Sequence, residues 1–82
     1  MGYSNIIVIC EAGWILCGTL VDETENKIYL ANAYVVRRWD NGRGIGGLAK
    51  EEYKAEYTLD EVGDVEIYKN KVIYTIDCEW SD

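Results

Sequence analysis

The apolar residues of this chain come in short, mostly β-branched runs that are separated by polar or glycine-rich turns. Runs of this length and composition predict β-strands. Five or six such runs and one segment of helical propensity fill the 82 residues, which is the size of one small domain. The pattern therefore predicts a mainly β chain that folds as a single domain over residues 1–82.

The first half of the chain predicts four strands, at residues 5–11, 14–21, 27–31 and 33–39. The first of them, NIIVICE, is an almost continuous apolar run, which predicts a central strand. Gly18 lies inside the second and predicts a bend or a bulge there. The polar sequence DETEN at residues 22–26 predicts the turn that follows.

The second half predicts a loop, a helix and a hairpin. Residues 40–47 contain four glycines and predict a loop, and residues 47–54 predict a short helix. After a second turn at 58–63, strands at 64–68 and 71–78 predict a hairpin around Lys69-Asn70. Together these elements predict a small, strongly bent antiparallel sheet, an SH3-like barrel of five to six strands with one short helix.

Several classes of enzyme are excluded by residue type. Histidine is absent, and the serines, Ser4 and Ser81, lie near the ends of the chain. Ser-His-Asp, Cys-His and zinc-protease chemistries therefore cannot be built. Neighbouring carboxylates such as Glu51 and Glu52 leave a two-carboxylate hydrolase open by residue type, although such runs are normally solvated surface. We predict a protein with no catalytic residue and no cofactor.

The cysteines Cys10, Cys17 and Cys78 lie in apolar or alternating runs without C-x-x-C spacing. Cysteine in such a run behaves as a small hydrophobic residue. A metal site made of these three thiolates needs a fourth ligand, which the sequence does not suggest. We predict packed, reduced thiols, no metal site and a cytoplasmic protein, with neither a signal peptide nor a membrane span.

The net charge of −7 argues against nonspecific binding of nucleic acid, which needs a basic face. Every arginine nevertheless falls within one seven-residue stretch beside the glycine-rich loop. Guanidinium groups hold phosphates, an indole stacks on a base, and loop amides converge on anions. The predicted ligand-binding residues are Arg37, Arg38, Trp39, Asn41, Gly42, Arg43 and Gly44. The alternative is that Arg37 and Arg38 pair with acidic residues and that the glycines only form a mobile loop.

The aromatic residues are seven Tyr and three Trp, with no Phe. Tyr and Trp are favoured at interfaces and on ligand platforms, and a barrel this small has limited room to bury ten of them. Tyr3 and Trp80 are candidates to cover open sheet edges or to lie in a subunit interface. The composition therefore predicts a homo-oligomer.

The sequences AGWILCGTL (residues 12–20) and AYVVRRW (33–39), followed by Asn41-Gly42 and Gly47-Leu48-Ala49, resemble a family of small uncharacterised domains of tailed phages. Members of that family carry an AG-x-x-x-GTL-like strand, an A-R-x-I-x-x-W-like strand, a Gly/Asn loop and a short Leu-Ala helix. Tyr34 stands where the family has its first arginine. The resemblance implies a phage origin, hence a host bacterial cytoplasm, and an SH3-like barrel; it brings no established activity.

Two functions follow as hypotheses. The first is a non-catalytic phage counter-defence protein that binds and sequesters a nucleotide-derived immune signal, with arginines on the phosphates and Trp39 or a tyrosine on the base. The second is an acidic, anti-CRISPR-like inhibitor that binds a host defence protein, with acidic residues between Glu51 and Glu66 imitating a nucleic acid. An enzyme acting on a small signal molecule is the least favoured class, because no nucleophile and base are evident.

Overall fold

The computed structural model describes residues 4–38 and 42–80. They form one antiparallel sheet in the order β4-β3-β2-β1-β5. The mainly β, bent-sheet prediction is confirmed, with five strands, and β1 is central as its apolar run indicated. The strands are β1 (Ser4–Cys10), β2 (Ile15–Glu23), β3 (Lys27–Arg38), β4 (Thr58–Tyr68) and β5 (Val72–Asp77).

The connection between β4 and β5 bends the sheet. These two strands are its opposite edges, yet only the 3₁₀ turn Lys69–Lys71 separates them along the chain. A link of three residues requires the sheet to curl until its edges approach each other. No β4–β5 pairing occurs within residues 4–38 and 42–80, so the bent sheet stays open there.

The predicted hairpin around Lys69-Asn70 is therefore wrong. β5 pairs with β1, with Ile7 opposite Ile76, and the Lys69 amide donates to the Asn26 carbonyl at 2.9 Å, which fastens the turn to the β2–β3 connection. Alternating apolar residues suit either partner strand, and the dipeptide Lys-Asn lacks the glycine that favours a tight hairpin turn. Only the tertiary arrangement selects β1.

Three other predicted boundaries are corrected. The predicted strands 27–31 and 33–39 are one strand over the described residues Lys27–Arg38, because Asn32 adopts a left-handed φ of 52° and makes an irregularity in the pairing instead of a break. Residues 58–63, predicted as a turn, extend β4 through pairing with β3, which overrides their weak β-propensity. The predicted helix 47–54 is two 3₁₀ segments, Ile45–Ala49 and Glu51–Glu56, separated by extended Lys50.

The sheet buries residues on both faces. One core includes Val8 and Leu30, and the core on the other face is covered by the two 3₁₀ segments and includes Ile7 and Leu48. β1 contributes alternate residues to each, as expected for a strand buried on both sides. Gly18 lies at the predicted irregularity, where an added Cβ would come within 3.0 Å of the Ala33 Cα.

The cysteines are packed as predicted, since Cys10 and Cys17 are buried and Cys78 is half-buried. Burial raises the pKa of the Cys17 thiol to about 11 and that of Cys78 to about 12. Both thiols are therefore neutral at physiological pH. A neutral buried thiol is a poor nucleophile and a poor metal ligand.

We expect the free energy of unfolding to decrease as pH rises above about 9, the ordinary pKa of a thiol. The unfolded chain then loses a proton that folded Cys17 retains, which costs up to ~1.4 kcal/mol per pH unit. Urea unfolding of wild type and Cys17→Ala at pH 8 and pH 10 measures this. Cys17→Ala should be less stable than wild type at pH 8 and should lose less unfolding free energy between pH 8 and pH 10. Equal losses in the two proteins would contradict the raised pKa of the Cys17 thiol.

Candidate functional site

The end of β3 and the start of β4 lie beside the glycine-rich loop. Arg38 is paired with Thr58, and the preceding residue, Tyr57, is 7% exposed. The Tyr57 hydroxyl donates a hydrogen bond to the Gly44 carbonyl. This bond holds the loop against the end of the sheet where β3 ends with Arg37 and Arg38.

Tight packing fixes the loop as well. A Cβ at Gly47 would lie 2.6 Å from the Tyr57 hydroxyl oxygen and 2.8 Å from the Arg43 Cβ. Gly42 and Gly44 have φ of 86° and 70°, a region that other residues rarely adopt. The described part of the loop therefore packs against Tyr57.

Gly47→Ala is expected to destabilise the protein by about 1–3 kcal/mol, because the methyl group has no room beside Tyr57 and Arg43. Gly46→Ala is the matched control, since nothing lies within 4 Å of a Cβ at that position. Thermal unfolding of both variants measures the difference. Equal melting temperatures would show that the loop does not pack against Tyr57.

Arg43 is held in one orientation by two neighbours. Its guanidinium lies 3.7 Å from the centre of the Tyr53 ring, and its Nε donates to Glu56 Oε1 at 2.8 Å. The bond to Glu56 raises the pKa of the guanidinium, so Arg43 remains charged. Its side chain is still 40% exposed to solvent.

The other two arginines, Arg37 and Arg38, differ in whether they form an ion pair within the described residues. Arg37 Nη1 lies 3.2 Å from Asp60 Oδ2, in an exposed ion pair of the kind that contributes little to stability. Arg38 is exposed and has no carboxylate partner within residues 4–38 and 42–80. Arg38, Arg43 and Gly44 therefore lie at one end of the sheet. The Arg37 side chain instead contacts Asp60 of β4. The predicted site residues Trp39 and Asn41 lie outside the described residues, and so does Tyr3.

A small polar pocket that the sequence did not predict opens beside the 3₁₀ segment Glu51–Glu56. Its volume is about 220 Å³, below that of a site for a drug-sized ligand. Asn5 is buried there and its Oδ1 accepts a hydrogen bond of 2.8 Å from the Thr19 hydroxyl. The lining residues are Asn5, Gly18, Thr19, Asn32, Tyr34, Lys54 and Trp80.

Lys54 provides the positive charge of this pocket. Its ammonium lies 4.0 Å from the centre of the Trp80 ring, and Trp80 Nε1 donates to the Leu48 carbonyl at 2.8 Å, which fixes the indole. Six of the eight lysines and arginines form ion pairs with carboxylates, but Lys54 has none within the described chain. The lining residues come from distant parts of the sequence, so no sequence motif could predict this pocket.

Neither a metal centre nor a membrane-spanning helix emerges from the part of the chain that the structure describes. Within residues 4–38 and 42–80, no three cysteine or carboxylate side chains form a group that could hold a metal ion. No helix there is long and apolar enough to cross a membrane. Comparison with protein families, with curated proteins and with solved structures finds no match for this chain.

Proposed function

We propose that this chain is a non-catalytic binding protein that captures a phosphate-bearing, nucleotide-type ligand at the arginine and glycine end of the sheet. The observation that carries the proposal is the fixed orientation of exposed Arg43 between Tyr53 and Glu56. A cation that is already oriented loses little conformational freedom when it binds an anion. The loop backbone around Gly44, fastened by Tyr57, adds donors that can face the same phosphate.

The existing ion pairs are compatible with this role. The partners of Arg37 and Arg43 are exposed carboxylates, and exposed pairs are worth at most about 1 kcal/mol. A doubly charged phosphate can replace such a partner through charge-assisted hydrogen bonds. Arg38 is available without any exchange of a carboxylate in the described chain.

The biological setting is the second part of the proposal. On the resemblance to tailed-phage domains, we propose that the protein acts in an infected bacterial cytoplasm, where a captured nucleotide would be an immune signal. Sequestration needs binding without turnover. It also benefits from a site enclosed between two copies, because one open sheet of this size covers little of a nucleotide.

A second candidate function is favoured by β4. This edge strand carries four acidic residues. Asp60 and Glu66 form ion pairs, whereas Glu61 and Asp64 have no cationic partner within residues 4–38 and 42–80. An acidic edge of this kind suits a basic surface such as the nucleic-acid channel of a host defence complex. The protein would then act as an inhibitor and need no small ligand.

Native mass spectrometry of freshly purified protein separates the two functions. Capture predicts an added mass of one nucleotide per site that is lost on denaturation. A protein that carries no added mass, and that shows no heat of binding with cyclic or linear nucleotides, would favour the acidic inhibitor.

A further inference from the structure

The polar pocket beside the 3₁₀ segment Glu51–Glu56 shares no described lining residue with the arginine and glycine end of the sheet. Its walls come from β1, β2, β3, this segment and Trp80, and they include none of the arginines and none of the loop glycines. Its volume of about 220 Å³ lies below the roughly 300–1,000 Å³ of most ligand sites, which is too small for a whole nucleotide. A ligand of this pocket must therefore be a small molecule.

Lys54 is the only charged residue among the described lining residues. The chain has fifteen acidic and eight basic residues, yet no carboxylate of the described chain lines this pocket or pairs with Lys54. The half-buried ammonium instead lies 4.0 Å from the centre of the Trp80 ring. A cation that has lost part of its water gains from an anionic partner.

The thiols near Lys54 do not provide that anion. Burial raises the pKa of the Cys17 thiol to about 11 and that of Cys78 to about 12, and the positive charge of Lys54 lowers both by less. Both thiols are therefore neutral at physiological pH. The charge of Lys54 remains available to an anion that enters the pocket.

Asn5 and Thr19, on neighbouring strands, supply further polar groups. Asn5 is 8% exposed, and its Oδ1 accepts the hydroxyl hydrogen of Thr19, with 2.8 Å between the two oxygens. A hydroxyl has a single hydrogen, so the Thr19 oxygen can only accept a hydrogen bond from a ligand. The pocket thus combines one cation with one hydroxyl acceptor.

These groups match a carboxylic acid better than a phosphate. A carboxylate carries the one negative charge that one lysine balances, whereas phosphate carries more and suits the guanidinium forks that the described walls lack. A hydroxyl group of the ligand can donate to the Thr19 oxygen. An ammonium group in its place would be repelled by Lys54, which favours a hydroxy acid over an amino acid.

We propose that this pocket binds a short monocarboxylic hydroxy acid, with the carboxylate at the Lys54 ammonium and the hydroxyl donating to Thr19. The rings of Tyr34 and Trp80, which also line the pocket, provide apolar surface for the carbon atoms of the acid. The proposal does not depend on nucleotide capture, because Tyr53 and Glu56, which hold Arg43, are not among the lining residues.

An NMR titration of the Trp80 indole N–H with sodium glycolate tests the site, with sodium chloride at equal ionic strength as the control for salt. Glycolate should shift this signal to saturation, because a carboxylate at Lys54 changes the field at the adjacent ring. Lys54→Met should weaken glycolate binding about tenfold or more, as expected for a lost charge-assisted hydrogen bond. The methionine can still pack on the indole, which preserves the fold.

The matched control is Lys71→Met, which removes the same charge from the turn after β4, outside the pocket. This variant should bind glycolate as wild type does. A Trp80 signal that responds to glycolate only as it does to chloride would overturn the proposal. Equal weakening by Lys54→Met and Lys71→Met would overturn it as well.

The choice of probe tests the chemical class of the ligand. Wild type should bind glycolate more tightly than acetate, which lacks the hydroxyl, and more tightly than inorganic phosphate. Thr19→Val should remove the difference between glycolate and acetate, and Thr19→Ser, which keeps a hydroxyl, should preserve it. Equal binding of glycolate and acetate by wild type, or tighter binding of phosphate, would refute the hydroxy acid. Calorimetry with nucleotides should give the same result for Thr19→Val and wild type, so a failure here is distinguishable from a failure of nucleotide capture.

Discussion

Arg43→Ala is expected to weaken binding of a phosphate-bearing nucleotide by roughly 1.5–3 kcal/mol, which is about 10- to 150-fold in the dissociation constant. The same loss is expected for Arg37→Ala combined with Arg38→Ala. Each change removes charge-assisted hydrogen bonds to phosphate. Calorimetry against cyclic and linear nucleotides measures the effect.

The matched control is Lys69→Ala. Lys69 forms an ion pair with Glu23 at 2.7 Å, as Arg43 does with Glu56, but it lies in the turn after β4, at the opposite end of that strand. Its removal changes the net charge by the same amount and should leave the affinity nearly unchanged. If Lys69→Ala weakened binding as much as Arg43→Ala, the effect would be one of overall charge and not of a site.

Neutralising acidic residues distinguishes capture from inhibition. Under capture, Glu51→Gln and Glu52→Gln should have little effect or slightly strengthen binding, because they reduce repulsion of an anion. Glu56→Gln keeps an oxygen that can accept the Arg43 hydrogen bond while it removes the charge. If the acidic residues from Glu51 to Glu66, which include those of β4, bind a host protein instead, these three changes should slow association and make it less dependent on salt, and the arginine changes should be nearly silent.

Leu48→Ala is expected to cost 2–5 kcal/mol of stability, of the order of half the total for a small domain. Leu48 is fully buried, and its carbonyl accepts the Trp80 bond, so the 3₁₀ segment is part of the core. Val62→Ala, at a side chain 45% exposed, should cost well under 1 kcal/mol. Urea denaturation measures both; a cost below 1 kcal/mol for Leu48→Ala would mean that these segments do not complete the core.

The local sequence pattern was sufficient to predict much of the fold. The β-branched run of β1 marked a central strand because both of its faces are buried, and Gly18 marked an irregularity because Ala33 packs closely against it. The pattern failed where the partner strand decides. β5 alternates in the same way whether it pairs with β4 or β1, and the acidic residues of β4 are held in a strand only by pairing with β3.

In the candidate site, too, the sequence pattern indicated some residues and could not indicate the tertiary contacts that hold them. Clustered arginines and glycines indicated an anion site, and the structure brings Arg38, Arg43 and the loop to one end of the sheet. The tyrosines that fix the loop and Arg43 were not singled out, since Tyr53 and Tyr57 are 10 and 14 positions beyond Arg43 and nothing in their spacing implies a contact. The Lys54 pocket was missed because it combines both halves of the chain.

Capture without chemistry is tested most directly by following the fate of the nucleotide. Purified protein is mixed with a substoichiometric nucleotide ligand, the free ligand is measured by chromatography, and the protein is then denatured by heat and the ligand measured again. Free nucleotide should fall in proportion to the protein added, return chemically unchanged after denaturation, and remain free when Arg43→Ala replaces wild type. A nucleotide that stays free with wild type, or that returns altered, would contradict the account.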